Sequence, residues 1–394
     1  MRHLANLGLL LGAVLFAVAA AELPAAIGLV DYRRFIALPQ GELFTRIKAW
    51  ENPRNRLDPE LLHIHRSGDH FTGEAAGDLT NWLGIATRRR YPVDVRYDKN
   101  GFRNDRDLDT ADIVVIGDSF VESGLVPYDS LVSSRLEALL GATTANLGQG
   151  GYGPPQERIV LTRYGLPLRP RIVLWLFFEG NDLLDPGRYD RMLRDLDALH
   201  AERNRYLQRS FTRNAMAFLK GWRAQRQTRT TSEEARRRSC RLAGSPASGD
   251  DGTLYFAYAG APLTQGELKT LQWVQPILRD ARQVSEANGA RFVLVLVPTK
   301  FRVYHDRCTP PPDGYLREWR PNDLPERLRS WSAAEGMPFL DLTQPLRAAA
   351  AASDALVFFS DDGHWNARGN VVAADAIADF VDRSGWLSDR RSGP

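Results

Sequence analysis

The sequence is poor in cysteine and nearly balanced in charge, and both features exclude classes of protein. Its 394 residues include two cysteines, Cys240 and Cys308, and neither belongs to a metal-ligand spacing. The net charge of +3 is too small to indicate a nucleic-acid partner, and no nucleic-acid motif accompanies it. No phosphate-binding glycine loop with a lysine follows a predicted strand, and no internal repeat is present. These exclusions leave two classes of protein open, a compact enzyme and a binding protein.

The two cysteines leave two alternatives open. Cys240 and Cys308 both lie in loop-like segments rich in arginine or proline. In an oxidising compartment they can form a disulfide, whereas in a reducing one they remain free thiols. Their separation along the chain does not decide between these states.

The N-terminus contains the one long apolar run. After Arg2, residues 4–21 are apolar except for Asn6, a length at the border between a secretory signal and a membrane-spanning helix. Small residues at 18–21 suit signal peptidase, but apolar residues continue to Leu29 and favour an uncleaved anchor. A cleaved signal and a buried core helix are the alternatives. Either export signal in residues 1–30 places the rest outside the cytoplasm, in the periplasm or the extracellular space.

The remaining chain divides into an irregular extension and an α/β domain. Residues 31–109 are rich in charges and aromatics, with an Asn100-Gly101 hairpin signal, and we expect them to pack on the main domain. From 110 to 390, apolar strand-like runs alternate with amphipathic helical segments, which predicts a parallel sheet covered by helices. The predicted strands are residues 113–117, the segment TTANLG, residues 171–178, RFVLVLVP and MPFLDL.

Two insertions interrupt this alternation. Residues 185–261 are strongly basic, with apolar and aromatic residues at helical intervals. This pattern suits an anionic membrane surface or a polyanionic glycan, and equally a solvated helical hairpin. Residues 298–322 follow the carboxyl end of a strand, where loops of open α/β sheets line ligand sites.

A serine and a histidine in separate loops point to nucleophilic catalysis. Ser119 follows the first strand in the segment IGDSF, at a turn that exposes a hydroxyl. Such a serine needs a base and an orienting carboxylate. His364 precedes the last helix in SDDGHW, with Asp361 three residues and Asp362 two residues before it. Either aspartate can fold back onto the imidazole.

Two further loops offer donors for an oxyanion. The segment NLGQGGYGP after the second strand is glycine-rich, so a backbone N–H can approach a substrate closely. The segment FFEGNDLL after the third strand presents the Asn181 amide. Because the carboxyl ends of parallel strands share one edge of a sheet, these loops are expected to meet.

Taken together, these blocks resemble the SGNH (GDSL-type) hydrolase superfamily, over residues 98–386. The resemblance implies a flavodoxin-like three-layer α/β/α sandwich, with Ser119 as the nucleophile. It also implies an oxyanion hole from the N–H groups of Ser119 and Gly151 and the Asn181 amide. The Asp-x-x-His block selects Asp361 with His364 for the triad.

Two departures from that pattern bear on the function. Glu179 stands where the third block usually has glycine. The Asp362-Gly363-His364-Trp365 segment also fits the Asp-x-His spacing of membrane-associated polysaccharide O-acetyltransferases, and PTKFRVY resembles a Pro-x-Lys-x-x-x-Tyr stretch of those enzymes.

The expected function is that of an exported serine esterase acting on carboxylic, chiefly O-acetyl, esters of a cell-surface or secreted glycan. The mechanism needs no cofactor and no metal. The cluster of His63, His65 and His70 lacks the carboxylates or cysteines of a metal site. The alternatives are O-acetyl transfer onto polysaccharide by the same triad and a non-catalytic glycan-binding module.

Overall fold

A computed structural model of the chain describes residues 2–34, 54–87, 89–194, 196, 205–227, 231–242 and 252–387. The strands are β1 Asn55–Asp58, β2 Leu62–His65, β3 His70–Ala75, β4 Tyr91–Arg96, β5 Ile113–Gly117, β6 Thr144–Gly148, β7 Ile172–Phe178, β8 Ser239–Leu242, β9 Thr253–Tyr255, β10 Arg291–Val297, β11 Cys308–Thr309 and β12 Phe339–Asp341. The helices are α1 Arg2–Ala26, α2 Asp78–Leu83, α3 Ser119–Glu122, α4 Val132–Leu140, α5 Pro154–Val160, α6 Asp185–Leu193, α7 Tyr206–Arg209, α8 Phe211–Gln227, α9 Glu233–Arg237, α10 Gln265–Ala287, α11 Lys300–Tyr304, α12 Leu324–Ala334, α13 Thr343–Ala352 and α14 Ala367–Ser384.

The central sheet has five parallel strands in the order β12-β10-β7-β5-β6. Every residue of β5 and β7 is buried, as expected for parallel strands covered on both faces. Alternate side chains enter different cores: Val115 packs into one and Val114 into the other. Each fully buried aliphatic or aromatic side chain of this kind contributes about 1.5–3 kcal/mol. The sheet therefore draws its stability from two hydrophobic layers.

Helices cover both faces of this sheet. Val132 of α4 and Ile377 of α14 belong to the core on one face, whereas Val274 of α10 and Leu328 of α12 belong to the core on the other. The predicted three-layer α/β/α sandwich is confirmed, with all five predicted strands in the sheet.

The extension before the sheet forms two antiparallel strand pairs, β1 with β2 and β3 with β4. Its Leu61, Ile64 and Phe102 are fully buried in the core that also contains α10 and α12. The Asn100-Gly101 hairpin prediction is wrong, because β4 pairs with β3, which precedes it. Gly101 does form a turn, at φ +90°, where a Cβ would lie 2.2 Å from the His65 carbonyl oxygen.

The basic insertion contributes a second, smaller sheet. Strands β8 and β9 of the insertion pair antiparallel, and β11 from the loop after β10 joins them in the order β11-β8-β9. A disulfide joins Cys240 on β8 to Cys308 on β11, which decides the alternative that the sequence left open. Closing a loop of 68 residues stabilises the fold by up to about 4 kcal/mol in the chain-entropy account.

Among the described residues, one helix is long and apolar enough to cross a membrane, over Asn6–Ala26. It contains the apolar run that the sequence predicted as an anchor or signal. Its large apolar side chains are mostly exposed, so a buried core helix is excluded for this segment.

Candidate active site

The predicted nucleophile lies at the carboxyl edge of the central sheet. Strand β5 ends at Gly117, and Ser119 opens the short helix α3. Asp118 caps this helix, because its Oδ1 accepts a hydrogen bond from the Phe120 N–H at 2.8 Å. The Trp365 indole N–H donates to the Phe120 carbonyl at 3.2 Å and so joins the serine turn to the histidine loop.

Serine, histidine and a carboxylate form an unbroken chain of hydrogen bonds. The Ser119 Oγ lies 2.7 Å from the His364 Nε2, and the His364 Nδ1 lies 2.7 Å from an oxygen of Asp362. The serine and the imidazole are partly exposed, whereas Asp362 is buried. This geometry is that of a nucleophile, a general base and an orienting acid.

The acid that contacts the histidine is Asp362, and the expectation that Asp361 does so is corrected. The Asp361 carboxylate instead accepts hydrogen bonds from the hydroxyls of Tyr91 and Thr80. Neighbouring side chains of the loop point in different directions, so only one aspartate can reach the imidazole. The Asp-x-x-His pattern predicts an acid three residues before His364, whereas in the structure the acid lies two residues before it.

The N-terminal extension contributes an acidic residue that sequence reasoning missed. The Asp78 N–H donates to the Asp362 Oδ2 at 2.8 Å, and the Asp78 Oδ1 accepts from the Gly363 N–H at 2.8 Å. The Asp78 Oδ2 lies 4.0 Å from the His364 Nδ1. Helix α2 thus holds the loop that contains Asp362 and His364 through backbone and side chain, and its sequence contains no motif that signals this contact.

Burial and charge set the protonation of this cluster. Burial disfavours the imidazolium of His364, but the charge and hydrogen bond of Asp362, followed by the charges of Asp78 and Asp118, raise its pKa to about 9. Burial opposes ionisation of Asp362, but the contact with His364 and the Asp78 N–H lower its pKa. Burial and the neighbouring Asp362 raise the pKa of Asp78 to about 7.

Among the described residues, Asp78, Asp362 and His364 form the group that could hold a cation. Ligand atoms of Asp78, Asp362 and His364 lie within 4.8 Å of one another. Their hydrogen bonds to one another, to Gly363 and to Ser119 already account for this proximity. A metal is therefore not needed to explain how they are arranged.

A buried lysine and a tyrosine hold the histidine loop from the side of α11. The Lys300 Nζ donates to the carbonyls of Tyr255 at 2.7 Å and Ser360 at 3.2 Å. The Tyr304 hydroxyl accepts from the Val357 N–H at 2.9 Å. Burial lowers the pKa of Lys300 to about 8, against the charges of the nearby aspartates, which raise it. The lysine and tyrosine of the PTKFRVY segment therefore anchor the loop that contains Asp362 and His364.

The glutamate that departs from the family pattern has a structural role. Glu179 is buried at the end of β7, and its carboxylate pairs with Arg302 of α11, with the Arg302 Nε 2.9 Å from both oxygens. It also accepts from the Thr299 N–H at 3.0 Å. The pair joins two adjacent strand ends, which explains why a carboxylate is tolerated there.

Two backbone N–H groups at this edge are available to an incoming oxygen. In the described part of the chain, neither Ser119 N–H nor Gly151 N–H donates to a protein acceptor. The Gly150 N–H, by contrast, is bound to the Glu122 Oε2 at 2.6 Å. Gly151 has φ +82°, a conformation that side chains disfavour. The assignment of the Gly151 N–H to an oxyanion hole stays a prediction.

Asn181 lies at the end of β7, beside the cap of the serine helix. Burial raises the pKa of Asp118, and the hydrogen bond from the Phe120 N–H, the charge of His364 and the neighbouring Asn181 side chain oppose that rise. The Asn181 Oδ1 is buried and has no hydrogen-bond partner among the described residues. The Asn181 side chain therefore lies close to the serine turn, and its role as an oxyanion donor stays a prediction.

The histidine cluster of the extension supports the glycine loop and does not converge as a ligand set. The His65 Nε2 lies 2.9 Å from the Glu122 Oε1, and the His63 Nε2 lies 3.0 Å from the Gly150 carbonyl oxygen. His70 pairs separately with Asp94. Burial opposes ionisation of Glu122, but His65 and the Gly150 N–H lower its pKa to about 2. The ionised Glu122 thus orients the loop that contains Gly151.

Comparison with known proteins supports the resemblance stated above. Residues 247–392 match a family described as the SGNH hydrolase-like domain of the acetyltransferase AlgX. The probable alginate O-acetylase AlgJ of Pseudomonas putida is 30% identical over 129 residues, which cover 32% of this chain and 31% of that protein. The match therefore spans about a third of that relative's length. The resemblance to the SGNH superfamily and to its acetyltransferases is confirmed for this part of the chain.

Solved structures with a similar arrangement include two bacterial lipases. A GDSL-like lipase of Bacteroides thetaiotaomicron is 11% identical, with 69% of this chain and 88% of that chain covered and a TM-score of 0.34. The lipase/acylhydrolase of Enterococcus faecalis is 14% identical, with 69% and 95% covered and a TM-score of 0.34.

Proposed function

We propose that the protein is a serine-dependent enzyme that acts on O-acetyl esters of a glycan. The observation that carries this proposal is the chain of hydrogen bonds from Ser119 through His364 to Asp362. It lies at the sheet edge where two backbone N–H groups have no acceptor among the described residues. The esterase-like fold and the acetyltransferase names of the relatives support the same conclusion.

The first half of the reaction forms an acyl-enzyme. The Ser119 Oγ attacks the ester carbonyl and its proton passes to the His364 Nε2. Asp362 keeps the Nδ1 proton in place and stabilises the imidazolium. The N–H groups of Ser119 and Gly151 and the Asn181 amide stabilise the negative oxygen of the tetrahedral intermediate. The C–O bond to the leaving alcohol then breaks, and that alcohol takes the proton from His364.

The second half regenerates the serine. A hydroxyl compound gives its proton to the His364 Nε2 and attacks the acyl carbonyl, and the Ser119 oxygen leaves and recovers a proton. Water as the acceptor gives ester hydrolysis, and a sugar hydroxyl gives acetyl transfer. The protein groups are the same in both cases, so the acceptor alone decides between esterase and transferase.

Two observations support acetyl transfer as a second candidate beside ester hydrolysis. The acid lies two residues before the histidine, in Asp362-Gly363-His364-Trp365, which is the spacing that resembles the polysaccharide O-acetyltransferases. The relatives' names describe an alginate O-acetylase and an acetyltransferase. A polysaccharide is accordingly the proposed substrate or acceptor.

The proposal also includes location. The apolar helix Asn6–Ala26 serves as an uncleaved membrane anchor, and the catalytic domain lies outside the cytoplasm. The disulfide between Cys240 and Cys308 supports an oxidising compartment. Cleavage near residue 20 would instead release a secreted enzyme.

The test measures acetate and acetylated sugar separately. The full chain in detergent receives an activated acetyl ester, with and without an uncharged or a polyuronate oligosaccharide as acceptor. Hydrolysis releases acetate in both cases, whereas transfer yields an acetylated oligosaccharide detectable by mass spectrometry. Ser119→Ala is the control and should lose both products while it keeps its fold, because a partly exposed hydroxyl contributes little packing. Turnover that persists in Ser119→Ala would refute the serine mechanism, and glycan binding without turnover in either protein would indicate a non-catalytic module.

A further inference from the structure

A helix of the basic insertion begins where the apolar N-terminal run ends. Glu22 is the first charged residue after that run, and its carboxylate accepts hydrogen bonds from the Thr212 N–H at 2.6 Å and the Phe211 N–H at 3.2 Å. The Ser210 and Tyr206 hydroxyls donate to it as well, at 2.8 and 2.7 Å. Glu22 therefore caps α8 (Phe211–Gln227) in place of a local capping residue.

Aromatic packing strengthens this junction. The rings of Tyr32 and Phe211 meet edge to face, with centroids 5.2 Å apart. Tyr32 follows α1 and Phe211 opens α8. The contact between their rings therefore adds to the hydrogen bonds of Glu22 in fixing the start of α8 beside the end of α1. The first turn of α8 thus lies at the end of α1 through contacts that a mobile surface hairpin would lack.

Beyond this junction, α8 exposes large apolar side chains. Met216 is 64% exposed and Leu219 is 48% exposed, and the two lie three residues apart on one side of the helix. Leu207 on α7 is 64% exposed. On the α1 side, Leu23 and Ile27 are 61% and 62% exposed. Neighbouring exposed apolar side chains mark an interaction surface, and a helix at a lipid surface directs them to the acyl chains.

The charge of this segment has one sign. Residues 205–227 contain six arginine or lysine residues and no acidic residue: Arg205, Arg209, Arg213, Lys220, Arg223 and Arg226. Basic side chains beside an apolar stripe are typical of helices that lie in a membrane interface. Such residues near an anionic lipid surface attract the helix to it.

We propose that α8 lies along the surface of the bilayer that α1 enters. Leu219 and Met216 face the acyl chains, and the exposed Arg205, Arg213 and Arg223 bind anionic lipid headgroups. The inference rests on α1 as the membrane anchor, which is part of the proposed function, and is independent of the chemistry of the active site. With α1 in the membrane and α8 on its surface, two contacts hold the catalytic domain close to the bilayer. A single anchor would leave its orientation less restricted.

The test places a nitroxide spin label at three positions of the full chain in lipid nanodiscs. Leu219→Cys reports the apolar side of α8 and Leu11→Cys reports the anchor. Ala217→Cys is the matched control, since it is exposed and lies two residues, or about 200°, from Leu219 around the helix. The native cysteines are joined in a disulfide and do not react with the label. Collision of each label with lipid-soluble oxygen and with a water-soluble nickel chelate is measured in phosphatidylcholine discs with and without phosphatidylglycerol.

In anionic discs, the label at 219 should be several-fold less accessible to nickel than the label at 217, and more accessible to oxygen. The difference should shrink when the discs lack anionic lipid. Equal nickel access at 217 and 219, with the label at 11 buried in lipid, would refute the inference and leave the anchor intact. A water-exposed label at 11 would refute both. Protection of 219 by a soluble polyuronate in detergent, without lipid, would assign the surface to a glycan and also overturn the proposal. Unchanged turnover of a soluble ester by Leu219→Cys shows that the labelled chain is folded.

Discussion

The Asp362 carboxylate contacts His364 twice, since one oxygen lies 2.8 Å from the His364 backbone N and 2.7 Å from its Nδ1. A single oxygen thereby orients both the backbone and the ring of the base. This double contact requires the two-residue spacing, because the carboxylate must turn back over a single intervening residue, Gly363. The neighbouring Asp361 makes no such contact and is bound to Tyr91 and Thr80.

Replacement of the two aspartates should therefore have different effects. Asp362→Asn removes the charge that stabilises the imidazolium and should lower kcat by up to about 10⁴-fold. Asp361→Asn leaves the imidazole contacts unchanged and should cost about tenfold or less. The measurement is kcat on one activated acetyl ester for both variants, with thermal unfolding as the folding control. A larger loss in Asp361→Asn than in Asp362→Asn would reject the assignment of the acid.

The pH dependence of activity should depend on Asp78. His364 must be neutral to accept the serine proton, so kcat/KM should rise with pH through the His364 pKa of about 9. Asp78 is ionised above its own pKa of about 7, and its negative charge favours the imidazolium. Asp78→Asn removes that charge, so the pKa of His364 should fall. The rise of kcat/KM with pH should then occur at lower pH.

The check on Asp78 is a kcat/KM profile between pH 6 and pH 10 for the wild type and Asp78→Asn. Asp94→Asn serves as the matched control, since Asp94 is exposed and pairs with His70 away from the triad. A rise that stays in place, or moves to higher pH, in Asp78→Asn would contradict the expected coupling.

Asn181→Ala should impair the transition state more than substrate binding. An oxyanion donor acts on charge that develops during attack, and its loss costs about 10²–10³-fold in kcat. KM should change little, because the ground-state carbonyl is nearly neutral. Steady-state kinetics separate the two parameters. If KM rises while kcat is kept, Asn181 binds substrate and is not an oxyanion donor.

Tyr304→Phe tests the anchor of the histidine loop. The phenolic oxygen is the acceptor for the buried Val357 N–H, so its removal leaves that donor unpaired at a cost of about 1–3 kcal/mol. Thermal unfolding should begin at a lower temperature, and kcat should fall with the loosened loop. Tyr189→Phe, which loses a hydrogen bond to the Glu60 carbonyl at the surface, is the control. Equal effects of the two variants would argue against a special role for Tyr304.

The fold and the nucleophile were predictable because their signals are local. Fully apolar runs predicted the five strands, since parallel strands between two helical layers have no polar face. Ser119 and His364 were predictable because each follows or precedes a regular element in a recognisable block. The contact between them then follows from the shared edge of the sheet.

The choice of acid was not predictable, because it depends on a distant element. Helix α2 donates from the Asp78 N–H to Asp362 and from the Leu79 N–H to the Asp361 carbonyl, and these contacts set the direction of both side chains. The residues in these contacts are more than 280 positions apart, so the local spacing of aspartate and histidine gives no information about them. The pairing of Glu179 with Arg302 is a similar case, since it joins the ends of two strands.

The disulfide links the small sheet to the order of the histidine loop. Cys240 lies opposite Leu254 in the small sheet, and the next residue, Tyr255, shares the Lys300 ammonium with the Ser360 carbonyl. The disulfide therefore reinforces a sheet whose Tyr255 also donates its N–H directly to the Ser360 carbonyl of the histidine loop at 3.0 Å. A reduced chain lacks this link, so we expect the histidine loop to be less well ordered before the two cysteines are oxidised.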